Sequence, residues 1–353
     1  MHILITGGAG FVGSNLALFL KQKYSDYTIT VLDNLKRRGS ELNLPRLKAA
    51  GIIFLHGDIR NAEDFEQIDN DVDYLIEASA EPSVMAGVGS SPKYLINTNL
   101  NGTINCLYFA KERNAKVIFL STSRVYPVEA LNSCNYNEAA TRFNFTDDQN
   151  LPGISAKGVS EEFPLSGYRT LYGTTKLASE LLLPEFLQTY KVPYIIDRCG
   201  VLTGPWQMGK VDQGVAVLWM AAHYWKKPIS YIGFGGSGKQ VRDLLHINDL
   251  CVLLDEQIHK FNKFSASTYN VGGGLQNAVS LKELTSMCSD ITGNSIEIAE
   301  DKKQREGDIR IYVSNNSQLY QDALWRPKRS VKETLQDVYD WIQQNEMQLK
   351  NIL

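Results

Sequence analysis

The chain has 353 residues, of which 43% are hydrophobic and 21% charged, and its formal net charge is −3. This composition is typical of a folded globular protein of one large or two ordinary domains, not of a disordered chain. Without a basic excess, a general affinity for nucleic acid is excluded. The five cysteines are scattered without metal-ligand spacing, which predicts free thiols in a reducing cytoplasm and no metal site.

The apolar segments predict neither a membrane span nor a secretory leader. The best apolar run, 215–225, is shorter than the ~20 residues that a spanning helix needs. Only Ile3, Leu4 and Ile5 precede the first glycines, and such a run is too short for a signal peptide. We therefore expect a cytoplasmic protein with no membrane partner.

The N-terminal segment is predicted to form a strand, a glycine turn, a helix, a second strand and an acidic end. Residues 2–6 are a short apolar run of strand type, and GGAGFVG follows them. Apolar residues on one helical face come next, and the run 28–32 predicts a strand that ends in Asp33. This order is typical of a dinucleotide-binding unit.

The glycines and Asp33 have separate roles in that interpretation. Gly7 permits the tight turn, Gly10 lets a pyrophosphate approach the helix N-terminus, and Gly13 allows close packing of the helix. Asp33 would accept hydrogen bonds from the adenosine ribose and repel a 2′-phosphate, which favours NAD. The basic run at 36–38 would favour NADP, but we interpret it as a solvated loop.

Later segments continue the alternation of strands and helices. Further strands are predicted at 52–55, 74–76, 117–120 and 194–196, with a prominent helical segment at 94–112. Such alternation predicts an α/β fold with a doubly wound parallel sheet. Ligands of these sheets bind at the carboxyl ends of the strands.

Three side chains form the predicted catalytic group. Thr122 follows the strand at 117–120, so its hydroxyl is expected on the ligand side. Tyr172 and Lys176 lie four residues apart and share one face of a predicted helix. Because a neighbouring ammonium stabilises a phenolate, Tyr172 can act as a base toward an alcohol that Thr122 holds. Tyr168, four residues earlier, is predicted to pack against Tyr172.

Motifs along essentially the whole chain resemble those of the extended short-chain dehydrogenases/reductases, which are mostly nucleotide-sugar epimerases and dehydratases. The resemblance implies an NAD-binding Rossmann domain at 1–198, to which about 241–262 returns. A smaller α/β nucleotide-sugar-binding domain would comprise 199–240 and 263–353. The motifs are TGGAGFVGSNL (6–16), DN (33–34), GDIR (57–60), NLNGTIN (99–105), STSRVY (121–126), YGTTK (172–176), RCGVLTGPWQ (198–207), GKQVRDLLHINDL (238–250), YNVGG (269–273) and REGDIR (305–310).

The resemblance also implies roles for individual residues. Thr122, Tyr172 and Lys176 match the family's catalytic triad. An arginine fork suits a diphosphate, which is the role implied for Arg242, and Arg310 matches an arginine near the nucleotide. The implied cofactor contacts are Gly7, Gly10, Phe11, Val12, Asp33, Asn34, Asp58, Ile59, Ala78, Ser79, Ala80, Asn99, Tyr172 and Lys176. The implied substrate contacts are Ser123, Arg124, Gln213, Arg242 and Arg310.

Within the family, YNEAATRF (136–143), VDQGVAVLW (211–219) and GKQVRDLLH (238–246) resemble the CDP-paratose 2-epimerases of deoxysugar and O-antigen (lipopolysaccharide) biosynthesis. That resemblance implies an isomerase that inverts a sugar carbon by transient oxidation with NAD. The dehydratases carry Asp-Glu directly after the catalytic Thr, whereas this chain has Ser123 and Arg124, which argues against dehydration. Pro127 and Val201 depart from the family pattern.

Three alternatives stay open on the sequence. The substrate nucleotide is CDP- or UDP-linked, so a UDP-sugar 4-epimerase is one alternative and an NAD(P)-dependent reductase is another. A non-catalytic protein that senses the NAD redox state is the third. By the family's habit, two long helices pair between subunits, which implies a homodimer or homotetramer. His246 and Asp249 are expected to be structural.

Overall fold

The computed structural model describes residues 1–69, 71–210 and 213–353. Val211 and Asp212, which begin the motif at 211–219, lie outside the described residues. The strands are β1 (His2–Thr6), β2 (Thr28–Asp33), β3 (Ile53–His56), β4 (Tyr74–Glu77), β5 (Lys116–Thr122), β6 (Tyr136–Glu138), β7 (Phe143–Phe145), β8 (Ile154–Ser155), β9 (Gly158–Val159), β10 (Tyr194–Cys199), β11 (Val201–Thr203), β12 (Ile229–Ile232), β13 (Val241–His246), β14 (Ser267–Val271), β15 (Ala278–Ser280), β16 (Ile298–Asp301) and β17 (Ile311–Tyr312). The α-helices are α1 (Phe11–Lys23), α2 (Leu44–Ala49), α3 (Lys93–Ile96), α4 (Gly102–Arg113), α5 (Val128–Ser133), α6 (Leu171–Tyr190), α7 (Val215–Tyr224), α8 (Ile247–His259), α9 (Phe261–Phe264), α10 (Leu281–Thr292), α11 (Ser317–Asp322), α12 (Val331–Gln344) and α13 (Glu346–Leu349).

The chain divides into two compact units. The first consists of 1–125, 171–198 and 250–269, and the second of 126–170, 199–249 and 270–353. The break after residue 198 coincides with the predicted one. Two details differ from the prediction: residues 126–170 belong to the second unit, and the segment that returns to the first is 250–269.

The first unit is built on a seven-stranded sheet in the order β14-β10-β5-β4-β1-β2-β3. The sheet is parallel and Rossmann-like, which confirms the predicted fold class. β1 pairs in parallel with β2 on one side and β4 on the other, with Ile5 opposite both Val31 and Ile76. The strand order therefore reverses between β1 and β4, where doubly wound sheets bind their ligands.

Burial explains why the strands could be predicted. All five residues of β1 are buried, as expected for a parallel strand covered on both faces. All six strands predicted from the sequence are present, and β5 extends to Thr122. The predicted helix at 94–112 corresponds to α3 and α4, which a π-helical turn at Asn97–Asn101 joins. β14 was not predicted.

The second unit contains a mixed sheet. β13 lies between β11 and β15, pairs in parallel with β11 and antiparallel with β15, and also pairs with β17. Helix α7 packs against α10 and α12. Ser280 and Glu283 form a capping box at the start of α10, so the Ser-x-x-Glu spacing fixes where that helix begins. Among the described residues, no helix has the length and apolarity that crossing a membrane requires.

Asp197, in β10, is a buried acid whose ionisation opposes folding. Burial raises the pKa of Asp197 to about 7, although Gln257 Nε2 donates a hydrogen bond to its Oδ1 over 2.9 Å. The folded carboxyl therefore keeps its proton at pH values where the unfolded one, with a pKa of about 3.9, has lost it. The contribution of Asp197 to the free energy of unfolding consequently falls as the pH rises from about 4 to about 7 and is flat above that.

We therefore expect Asp197→Asn to stabilise the protein, because the amide oxygen can still accept from Gln257 and carries no charge. The increase in the free energy of unfolding over that of the parent protein should be roughly 3 kcal/mol larger at about pH 8 than at about pH 5. Urea unfolding of both proteins at the two pH values measures it. An equal gain at both would contradict the assignment.

Candidate active site

The glycine turn after β1 has the geometry of a pyrophosphate cradle. Gly7 has a φ of +65°, and a Cβ there would lie 2.8 Å from the carbonyl oxygen of Ala78, so only glycine fits. A Cβ on Gly13 would lie 2.4 Å from the oxygen of Gly7, which confirms that α1 packs closely on the turn. Gly10 is the N-cap of α1, and within the described chain no side chain caps this helix. Its first N–H groups thus fit an anion.

Asp33 ends β2 beside this turn, as predicted. Its Oδ2 accepts from the N–H of Ala9 at 3.0 Å, and its Oδ1 accepts from the N–H of Leu35 at 2.7 Å. Burial raises the pKa of Asp33, although these backbone donors oppose that rise. Each carboxylate oxygen can accept a further hydrogen bond, which suits ribose hydroxyls.

Asp58 and Asn34 form a polar cluster at the edge of the same unit. Asn34 Nδ2 donates to Asp58 Oδ2 at 2.7 Å, and the guanidinium of Arg60 binds both carboxylate oxygens. Burial alone would raise the pKa of Asp58, but Arg60 and Asn34 outweigh it and lower the pKa to about 2. The Arg60 guanidinium also lies over the Tyr94 ring, 4.8 Å from its centroid. Ile59 is buried.

The other predicted cofactor contacts lie around the turn or behind it. Phe11 and Val12 are half-buried in the first turn of α1, and 78–80 follow β4 against Gly7. Asn99 is fully buried in the π-helical turn. Its Oδ1 accepts from the N–H of Glu81 at 2.8 Å, so its amide holds the segment after β4, and its predicted contact with the cofactor stays a prediction.

Thr122 is the last residue of β5, at the carboxyl edge of the sheet, where the sequence predicted it. It is buried, and its Oγ1 accepts a hydrogen bond from the N–H of Arg124 at 3.2 Å. This contact leaves the hydroxyl proton of Thr122 to be donated to a ligand oxygen. Ser123 is also buried, and Arg124 is half-buried in the short 3₁₀ turn that follows.

Tyr172 and Lys176 lie one turn apart on α6, as predicted. Tyr172 is half-buried, and Lys176 is almost completely buried. The ammonium of Lys176 forms an ion pair with Glu77, the last residue of β4, at 3.2 Å. This partner was not predicted, and its local sign in the sequence is an acidic residue at the end of an otherwise apolar strand.

A second buried ion pair lies next to Thr122 and was not predicted. Arg198 in β10 and Glu180 in α6 form a bidentate ion pair, with Nη2 2.7 Å from Oε2 and Nε 3.1 Å from Oε1. Ser121, the residue before Thr122, donates its hydroxyl to the same Glu180 carboxylate. The ion pair therefore ties β10 to the helix that carries Tyr172, and the Ser121 hydrogen bond ties the end of β5 to the same carboxylate.

The remaining predicted substrate contacts belong to the second unit. The guanidinium of Arg242 in β13 forms an ion pair with Asp308 at 3.2 Å and donates to the carbonyl of Ile309 at 2.7 Å. Arg310 stacks over the Tyr136 ring, 4.2 Å from its centroid. Arg242 thus contacts the segment 308–309, and Arg310 follows that segment directly.

Gln213 and the two residues expected to be structural also lie in the second unit. Gln213 is half-buried, and its Oε1 has no hydrogen-bond partner among the described residues. Asp249 accepts hydrogen bonds from the N–H groups of Lys328 and Arg329 just before α12. Burial lowers the pKa of His246 to about 4, and its Nδ1 accepts from the N–H of Asn248.

The expected packing of Tyr168 is wrong. Helix α6 begins at Leu171, so Tyr168 precedes the helix and does not stack one turn below Tyr172. Its side chain is 47% exposed. The four-residue spacing of the two tyrosines suggested that the helix includes Tyr168, but the backbone before Leu171 is irregular.

Comparison with known proteins agrees with this geometry. Residues 3–272 match the NAD dependent epimerase/dehydratase family. CDP-paratose 2-epimerase of Salmonella typhi is 30% identical over 97% of this chain and 99% of its own length. The structure of dTDP-glucose 4,6-dehydratase from Bacillus anthracis in complex with NAD is 26% identical, with a TM-score of 0.76 over 100% of both chains. That of UDP-glucuronic acid 4-epimerase from Bacillus cereus, in complex with UDP-glucuronic acid and NAD, has a TM-score of 0.79 at 24% identity and covers 98% of this chain and 99% of its own.

A parallel sheet with a glycine turn after β1 and an acidic end to β2 is typical of NAD-dependent enzymes. The chain belongs to the NAD-dependent epimerase/dehydratase family of extended short-chain dehydrogenases/reductases.

Proposed function

We propose that the protein is a nucleotide-sugar epimerase that inverts one sugar carbon. The observation that carries the proposal is the placement of Thr122 at the carboxyl edge of β5 in the same unit as Tyr172 and Lys176 on α6. Ser123 and Arg124 follow Thr122. Neither can serve as the carboxylic acid and carboxylate that elimination of water uses, which favours epimerisation over dehydration.

Each catalytic side chain has one task in this reaction. Bound NAD would accept a hydride from the sugar carbon and return it to the opposite face. Thr122 donates a hydrogen bond from its hydroxyl to the reacting sugar oxygen and so orients it. Tyr172 takes the proton of the sugar hydroxyl and later gives it back, and the ammonium of Lys176 stabilises the phenolate between these steps.

The best candidate for the substrate is CDP-paratose, with inversion at C2. The similarity to the Salmonella typhi epimerase over nearly the full length of both chains supports this choice. Arg242 and Arg310 would bind the nucleotide, and Gln213, Ser123 and Arg124 would contact the sugar. Arg242 must then share its guanidinium between Asp308 and the ligand diphosphate, which its several donors allow.

We also propose a cytoplasmic homodimer or homotetramer that pairs α4 and α6 between subunits. Tyr108 on α4 and Leu181 on α6 are large apolar side chains of the first unit, and they are 50% and 66% exposed. Tyr190, at the end of α6, is 45% exposed. Exposed apolar side chains on two neighbouring helices are typical of a surface that a partner covers.

Proton NMR of the purified protein with NAD and CDP-paratose tests the substrate. We expect new anomeric signals with the altered H1–H2 coupling of the C2 epimer, at constant total nucleotide. An unchanged spectrum, with NAD shown to be bound, would remove CDP-paratose and leave UDP-sugars as the next substrates to try. Continuous loss of reduced cofactor, followed by its near-ultraviolet absorbance, would identify a reductase instead.

A further inference from the structure

Lys176 has a buried carboxylate partner that no part of the proposed reaction uses. Oε2 of Glu77 lies 3.2 Å from Nζ of Lys176, and the two side chains are 1% and 2% exposed. Nζ also lies over the Phe119 ring, 4.4 Å from its centroid. An ammonium in so dry a site needs a partner of opposite charge, and Glu77 is that partner.

The other titratable groups around Lys176 do not supply that charge. Cys106 on α4 is buried, and burial together with Glu77 raises the pKa of its thiol well above the usual range. Glu180, one turn later on α6, is bound by Arg198. Tyr172, one turn earlier, is the group that the ammonium is meant to influence.

Stability alone gives a weak reason for the pair. A buried ion pair contributes little net stability, because removing two charges from water costs about as much as their attraction gains. Burial raises the pKa of Glu77, against the opposing effect of Lys176. Oε1 of Glu77 has no hydrogen-bond partner in the described parts of the chain. A carboxylate in this position is therefore better explained by what it does to Lys176.

We propose that Glu77 is a positioning residue, whose carboxylate holds the Lys176 ammonium in place and thereby sets how readily Tyr172 loses its proton. The inference rests on the proposed function, since it assumes that Tyr172 is the base. It adds a third group to the Tyr172–Lys176 pair, brought from a strand 99 positions earlier in the chain.

The test is a direct titration of Tyr172, which needs no substrate. The NAD-loaded protein is labelled at the phenol carbon of tyrosine with carbon-13, and the Tyr172 signal is assigned by its loss in Tyr172→Phe. We expect Glu77→Gln to move the Tyr172 midpoint upward by roughly one pH unit or more, because a Lys176 ammonium that Glu77 no longer holds in place stabilises the phenolate less. Glu77→Asp keeps a carboxylate but places it further from Lys176, so it should give a smaller upward shift of the Tyr172 midpoint.

Two controls separate this effect from general disturbance. Asp197→Asn removes a buried carboxylate in β10 that Gln257 binds, and it should leave the Tyr172 midpoint unchanged. Lys176→Met should raise the midpoint, and adding Glu77→Gln to it should raise it no further, because both changes act through one ammonium.

The possible results of the titration distinguish failure of the Glu77 inference from failure of the proposed base role of Tyr172. A low midpoint in the parent protein that Glu77→Gln leaves in place or lowers would overturn the inference and keep Tyr172 as the base. A shift that persists in the Lys176→Met background would overturn it as well. If Tyr172 of the parent protein titrates near the ordinary value of about 10, the proposed base role fails and the inference fails with it. If Glu77→Gln does not fold, the Glu77→Asp titration decides by the same criteria.

Discussion

Tyr172→Phe is expected to lower turnover by roughly 10²–10⁴-fold while NAD still binds. The change removes one hydroxyl and keeps the ring, so the packing of α6 is retained. Without the phenol, the group proposed to take the proton of a sugar hydroxyl is lost. The cofactor cradle, formed by the turn at Gly7 and by Asp33, is not altered.

The chain offers a matched control for this variant. Tyr168 is the nearest tyrosine along the chain, lies before α6 and is 47% exposed, so Tyr168→Phe makes the same atomic change outside the helix. Its turnover should stay within about two-fold of the parent protein, as for most exposed positions. Turnover is followed by NMR, and NAD binding by fluorescence. Near-normal turnover of Tyr172→Phe would remove Tyr172 as the base.

The sequence predicted the parts of the fold that depend on local patterns. The strands of the first unit are buried apolar runs, and the glycine turn requires a positive φ at Gly7. Both features are therefore recognisable from the residue types of a short segment. β14 was missed because STYNV is short and partly polar. The π-helical turn at Asn97–Asn101 was also missed, since the apolar period continues through it.

Contacts between distant segments could not be predicted. Glu77 meets Lys176 across 99 positions, and Arg242 meets Asp308 across 66, and no periodicity relates such residues. The same limit explains the segment 126–170, which lies in the sequence between β5 and α6 but packs with the second unit. The sequence can therefore predict the individual residues of a site that lies at the ends of several strands. The ion pairs between such residues can be seen only in the structure.

A large loss of stability is expected from Arg198→Met. Arg198 and Glu180 form a pair whose side chains are 7% and 5% exposed, and the change leaves the carboxylate buried without its cation. Removing one partner of such a pair costs about 3–5 kcal/mol, because an uncompensated charge remains in a dry environment. Ser121 can still donate to Glu180, but one hydroxyl does not replace a guanidinium.

Two further variants show whether the loss of stability comes from the unpaired Glu180 carboxylate. Glu180→Met combined with Arg198→Met removes both charges and should recover most of the stability, since apolar pairs of similar volume often replace buried ion pairs without loss. Lys260→Met breaks the ion pair of Lys260 and Glu256 in the same unit, where Lys260 is 49% exposed, and should cost less than about 1 kcal/mol. Urea unfolding measures all three. If the double variant is as unstable as Arg198→Met, the loss reflects packing around Arg198, and the ion pair is not what joins β10 to α6.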